Sequence, residues 1–159
     1  MSQKILVIDD ETSILNTIQI LLRGEGFEVE VRTSGKQAMA EWDDVDPDLV
    51  LTDIRMAGMS GLEVLAAVQD RDPQVPVILM TAQASLQSAV QAVNEGAYYY
   101  LQKPFANDEL LAICRRAAET RELKAENRKL RKEIRKRDRS AGERPVGKSR
   151  SFVEVLDLA

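Results

Sequence analysis

Five short runs of mostly branched apolar residues, Ile5 to Ile8, Phe27 to Val31, Leu49 to Leu51, Val77 to Met80 and Ala97 to Leu101, are separated by longer stretches with apolar residues three and four apart. Runs this short read as strands, and a stretch patterned like Ile14, Leu15, Ile18, Leu21 and Leu22 reads as a helix with one buried face. The alternation is restrictive. Strands separated by helices cannot be hairpin partners, so the sheet must be parallel, with right-handed crossovers and helices on both faces. The near-continuous apolar strands agree with burial on both sides. Ser34 with Gln37 and Ser60 with Glu63 mark helix starts, each pairing a hydroxyl cap with a longer polar side chain three residues on, and Gly24 and Gly26 end the first helix. Five strands and five helices fill residues 1 to about 120.

In an open sheet of this kind, ligands bind beyond the carboxyl ends of the strands. The residues following the apolar runs are Asp9 and Asp10, Asp53, Thr81 and Lys103. Singly, each is better explained as a turn former, a cap or a solvated charge. Jointly they are not. Carboxylates converging on one edge repel one another unless some are protonated or a hard cation sits among them, and magnesium suits oxygen ligands. Next to such a cation a carboxylate can attack a phosphoryl group, with a lysine and a hydroxyl stabilising the transferring oxygens. Asp53 is placed for the nucleophile. The chain has no histidine, which excludes His-ligated zinc, Ser-His-Asp triads and Cys-His pairs. Its single cysteine, Cys114, is expected to be a small buried apolar residue, and Trp42 on the second helix is expected to lie in the core.

The segments VIDDE at 7 to 11, LTDIRM at 51 to 56, MTA at 80 to 82 and YLQKPF at 100 to 105 resemble the receiver domain of bacterial two-component response regulators. The resemblance implies a flavodoxin-like α/β receiver with strand order 2-1-3-4-5. It implies that Asp53 is the phosphoacceptor, Asp10 a direct magnesium ligand, Asp9 an outer ligand acting partly through water, and Arg55 a ligand through its backbone carbonyl. Lys103 would contact the phosphoryl group, Thr81 would swing toward it, and Tyr100 would turn inward as Thr81 moves. A sensor histidine kinase is the implied donor, since this chain carries no histidine of its own. Ala57, Tyr99 and Gln83 depart from the family pattern beside the site, and Arg55 and Gln83 are expected to tune hydrolysis of the phosphoaspartate.

Two other classes share parts of this chemistry. An aspartate-nucleophile phosphatase would place its nucleophile after the first strand with a second acid two residues on, which Asp9 and Glu11 fit poorly. A receiver-shaped module that signals without phosphorylation would be marked by loss of Asp53 or Lys103, and both are present. The expected role is a phosphorylated switch rather than an enzyme acting on a separate substrate.

Charge divides the chain: residues 1 to 106 hold 7 basic and 16 acidic side chains, whereas residues 121 to 139 hold 10 basic and 4 acidic. A helical pattern without Gly or Pro runs from Asn107 to Ala141. Leu123, Asn127, Leu130 and Ile134 fall on a heptad seam, which predicts a linker helix over 121–141 that pairs in a parallel homodimer. The competing reading, a basic face for nucleic acid, lacks aromatic interleaving and a recognition helix. The spelling GERPVGKS, from Gly142 to Ser149, matches a P-loop but follows a charged run instead of a buried strand, and Pro145 removes a backbone donor. Residues 145 to 159 instead resemble the start of the AAA+ ATPase domain of NtrC-type, sigma-54-dependent transcriptional activators, so 142–159 is expected to be the beginning of that domain. Contacts of the full-length protein with DNA and the sigma factor of RNA polymerase would then lie outside this chain. With no membrane-length apolar run and no signal peptide at its start, the chain is expected in the cytoplasm.

Overall fold

Branched side chains that pack well on a pleated surface form the five strands, and a computed structural model describes them within residues 3 to 121. They are β1 (Lys4–Ile8), β2 (Glu28–Arg32), β3 (Leu49–Asp53), β4 (Val77–Thr81) and β5 (Tyr99–Gln102). All pairings are parallel, in the order β2-β1-β3-β4-β5. The helices are α1 (Thr12–Gly24), α2 (Gly35–Ala40), α3 (Trp42–Val45), α4 (Gly61–Arg71), α5 (Leu86–Asn94) and α6, residues 107–121. The flavodoxin-like architecture and its strand order are as the sequence predicts. The linker positions Leu123, Asn127, Leu130 and Ile134, and residues 142–159, lie outside the described residues.

Successive strand side chains point to opposite faces, and this splits the core in two. Ile5, Val7, Leu49, Leu51, Ile78 and Met80 pack with Leu15, Ile18 and Leu22 of α1 and Leu110, Ile113 and Ala117 of α6. Leu6, Ile8, Val50, Val77 and Leu79 pack with Met39, Trp42, Val64, Leu65, Val68 and Ala92 on the other side. Cys114 belongs to the first cluster, and burial pushes its thiol up to about 12, so it stays protonated at neutral pH. Trp42 is buried as expected.

The second helix differs from the expectation of one continuous element. It breaks at Glu41 (φ −104, ψ 15), whose carboxylate reaches the Arg32 Nε at 2.5 Å. Ser34 accepts from Gln37 N–H, and Ser60 with Glu63 forms the full reciprocal capping box. A further box at Ser85 and Ser88 starts α5, where serine replaces the longer partner that the usual spelling requires. Strand β5 begins at Tyr99, two residues later than the apolar run suggests, because Ala97 N–H still closes α5 on Ala92 O. Gly26 and Gly96, with φ of 95 and 96, supply the left-handed turns after α1 and α5. Among the described residues, no helix is long and apolar enough to cross a membrane.

Candidate functional site at the carboxyl edge of the sheet

The parallel register brings the polar ends of β1, β3, β4 and β5 to one edge. Asp9 extends β1 by donating its N–H to Arg32 O at 3.2 Å, and its side chain is fully buried. That carboxylate is satisfied twice: Oδ1 accepts Glu11 N–H at 3.0 Å and Oδ2 accepts from Lys103 Nζ at 2.8 Å. Asp53, the last residue of β3, is 7% exposed, and its Oδ1 lies 3.5 Å from the same ammonium. Asp10 is exposed beside them. Carboxylate oxygens of Asp9, Asp10 and Asp53 all lie within 4.8 Å of one another.

Burial raises the Asp53 carboxyl above the ordinary aspartate range, Lys103 pulls it back, and the charge of Asp9 pushes it up again. For Lys103, burial opposes the charge, but the hydrogen bond and field of Asp9, followed by those of Asp53, outweigh it and raise its pKa. One lysine thus serves two carboxylates, while the third acid has no partner among the described ion pairs. An all-oxygen donor set with surplus negative charge fits a hard divalent cation such as magnesium, and lacks the sulfur or imidazole that a softer metal would prefer.

Thr81 ends β4 between these strands and is 2% exposed. Its Oγ1 accepts Gln83 N–H at 3.1 Å, and its carbonyl accepts Lys103 N–H at 2.8 Å. Arg55 lies in the loop after β3 with its residue exposed. Tyr100 stands apart from the acids: its hydroxyl is 2.5 Å from Ser88 Oγ on α5. The structure therefore groups Asp9, Asp10, Asp53, Lys103 and Thr81, and leaves Tyr100 one step removed.

Sequence reasoning missed Gly61. Its N–H donates to Ile54 O at 2.8 Å, and a Cβ there would lie 2.7 Å from Ile54 Cα and closer still to Asp53 O. The available signal was a glycine in the first turn of a helix, where it costs stability relative to alanine unless something approaches closely.

The acid cluster makes a signed prediction. Asp10→Asn is expected to raise the melting temperature by a few degrees in metal-free buffer, by removing one of three mutually repelling carboxylates, and to weaken magnesium binding at least tenfold. Calorimetry with and without magnesium checks both. A lower melting temperature in metal-free buffer would mean that repulsion is not what limits this edge.

Comparison with known proteins agrees with the geometry. The model of the response regulator receiver domain matches residues 5–115. The Escherichia coli (strain K12) regulatory protein AtoC is 39% identical over 127 residues, covering 80% of this chain and 28% of AtoC. The DNA-binding transcriptional regulator NtrC of Salmonella typhimurium is 41% identical over 111 residues, covering 70% of this chain and 24% of NtrC. A CheY-like receiver domain protein from Methanospirillum hungatei superposes with a TM-score of 0.74 at 31% identity, covering 78% of this chain and 99% of that one. NtrX from Brucella abortus gives 0.76 at 35% identity, covering 82% of this chain and 30% of NtrX. The chain thus spans under a third of the length of these curated relatives.

Proposed function

Since this chain belongs to the response regulator receiver domain family, we propose that it accepts a phosphoryl group on Asp53 from a sensor histidine kinase and passes the change to an attached transcription-activating ATPase. The observation that carries this reading is the buried Asp53 carboxylate at a strand end, facing Lys103 at 3.5 Å with Asp9 and Asp10 alongside. An Asp53 oxygen attacks phosphorus as the P–N bond of the phosphohistidine donor breaks, and the imidazole leaves with that electron pair. Lys103 offsets charge on the transferring oxygens. The Thr81 hydroxyl, whose oxygen accepts Gln83 N–H, donates its proton to another. Asp10, Asp53, the Arg55 carbonyl and, through water, Asp9 would hold magnesium, which when bound supplies further charge neutralisation.

A groove of about 600 Å3, lined by Ile14, Thr17, Lys103, Pro104 and Phe105 among others, opens beside the site and offers the donor protein an apolar seat against the lysine. The output surface in this reading is the face of α5, β5 and α6, on which Leu86, Val90 and Val93 of α5 and Tyr99 of β5 are exposed. Dimerisation through Leu123, Asn127, Leu130 and Ile134, residence in the cytoplasm, and contacts of the full-length protein with DNA and the sigma factor extend the reading beyond the described residues. The likeness to NtrC of Salmonella typhimurium, a DNA-binding transcriptional regulator, supports this extension.

The test is intact mass after treatment with a small acyl phosphate and magnesium. One phosphoryl adduct is expected on the wild type and none on Asp53→Asn. An adduct surviving in Asp53→Asn would remove Asp53 from its role, and magnesium binding without any adduct on the wild type would remove the chemistry.

A further inference from the structure

The Tyr100 hydroxyl ends on Ser88, and Ser88 already has a task. As the third residue of α5 it completes the capping box: its Oγ receives Ser85 N–H at 3.3 Å, and Ser85 Oγ receives Ser88 N–H at 3.1 Å. Ser88 Oγ also lies 3.0 Å from Ser85 Oγ and 3.1 Å from Ser85 O, and the Tyr100 hydroxyl joins this cluster at 2.5 Å through a hydrogen bond in which either oxygen can donate. A phenol on β5 is thereby fastened to the polar knot that starts α5.

The rest of α5 is weakly held. Ala92 is its only buried residue, while Leu86, Val90 and Val93 are 82%, 49% and 67% exposed. An element with so little apolar anchorage is positioned at low free-energy cost, and one hydrogen bond is then a large share of what fixes it. Its approach from β4 is fastened at the other end by the Thr81 hydroxyl on Gln83 N–H. Both fasteners are therefore side chains that the proposed switch has to move.

We infer that Ser88 is a positioning residue of the switch: its hydroxyl holds Tyr100 in the unphosphorylated arrangement, and releasing that bond frees the first turn of α5 and the apolar stripe it carries. The inference rests on the reading of Asp53 as phosphoacceptor and adds to it the bond that opposes switching. Inward movement of Tyr100 breaks one hydrogen bond at Ser88, so removing the bond beforehand removes that cost.

The experiment is the rate of phosphorylation of the full chain by a small acyl phosphate with magnesium, for Ser88→Ala, Tyr100→Phe, the double variant and Ser88→Thr. Each of the first two is expected to react roughly threefold to tenfold faster than wild type, the range that one net hydrogen bond spans. The double variant should be no faster than the faster single one, and Ser88→Thr, which keeps a hydroxyl, should return to the wild-type rate. A wild type that takes no phosphoryl group overturns the phosphoacceptor reading and this inference with it. A wild type that reacts while Ser88→Ala matches it, or single effects that multiply in the double variant, overturns the inference alone.

Discussion

Lys103→Met is expected to lower the free energy of unfolding by roughly 3 to 5 kcal/mol at neutral pH in metal-free buffer, the cost of stranding buried charge. The ammonium is the hydrogen-bond donor to Asp9 Oδ2 at 2.8 Å and the cation nearest Asp53 at 3.5 Å, and Asp9 has no exposed surface through which water could replace it. Methionine keeps the apolar stem and removes the charge, so the loss is electrostatic rather than one of packing. Its pH dependence has a defined sign. Asp53 already titrates above an ordinary aspartate because of burial, and Lys103 is the strongest influence holding it down, so removing the lysine raises the folded-state pKa further. A carboxyl whose folded pKa is raised favours the native state below the unfolded value, about 3.9, and loses that advantage as pH rises through the folded value. The deficit of Lys103→Met should therefore shrink on acidification from pH 7 toward 4. Magnesium at a hundred times its dissociation constant should restore about 2.7 kcal/mol if it still binds. Urea unfolding at two pH values, each with and without magnesium, reads all of this. A deficit that is the same at both pH values would mean that the ammonium does not hold the Asp53 carboxyl down.

The features that made this edge legible in the sequence share one property: each is set by the strand period or by the end of a strand. Ile5 to Ile8 and Leu49 to Leu51 announce buried parallel strands, and the first polar residues beyond such strands reach one edge whatever the intervening helices do. Asp9, Asp53, Thr81 and Lys103 could thus be grouped before any distance was known. What stayed hidden depends on contacts between elements far apart in the chain. Nothing local to Tyr100 points to Ser88, twelve residues earlier on another element, and the serine-for-glutamate capping box at Ser85 lies outside the usual spelling. The break at Glu41 coincides with its reach to Arg32 on β2, a partner that helix periodicity does not reveal. The role proposed for the Arg55 backbone carbonyl rests on the family resemblance, because a carbonyl has no side-chain signature in a sequence.

Gly61→Ala should separate site geometry from stability more sharply than any change of a charged residue. The added methyl would meet only backbone: Ile54 Cα at 2.7 Å, Asp53 C at 3.0 Å, and the Asp53 carbonyl oxygen nearer still. That backbone is fixed on several sides, by Ile54 N–H on Met80 O at 2.9 Å, Thr52 Oγ1 on Asp53 O at 3.0 Å and Gly61 N–H on Ile54 O at 2.8 Å. No side-chain rotation relieves the clash, so the end of β3 or the start of α4 must move, and Asp53 moves with the first of these. Overpacking costs about 1 to 3 kcal/mol, and alanine recovers up to about 1 kcal/mol through its better helix propensity, so the net loss of stability is modest. The chemical cost is larger, because an error near 1 Å in placing a reacting group can cost about a hundredfold in rate. Gly35→Ala provides the comparison: its Cβ would meet the buried Val64 Cγ2 at 2.7 Å, an overpacking of the core, and it touches neither Asp53 nor Ile54. Phosphorylation of Gly61→Ala by a small acyl phosphate is expected to slow roughly tenfold to a hundredfold, with Gly35→Ala near wild type at comparable stability. Equal slowing in both would make the glycine an ordinary packing residue. Slowing confined to Gly61→Ala would show that the close approach of α4 to β3 is what aims the carboxylate.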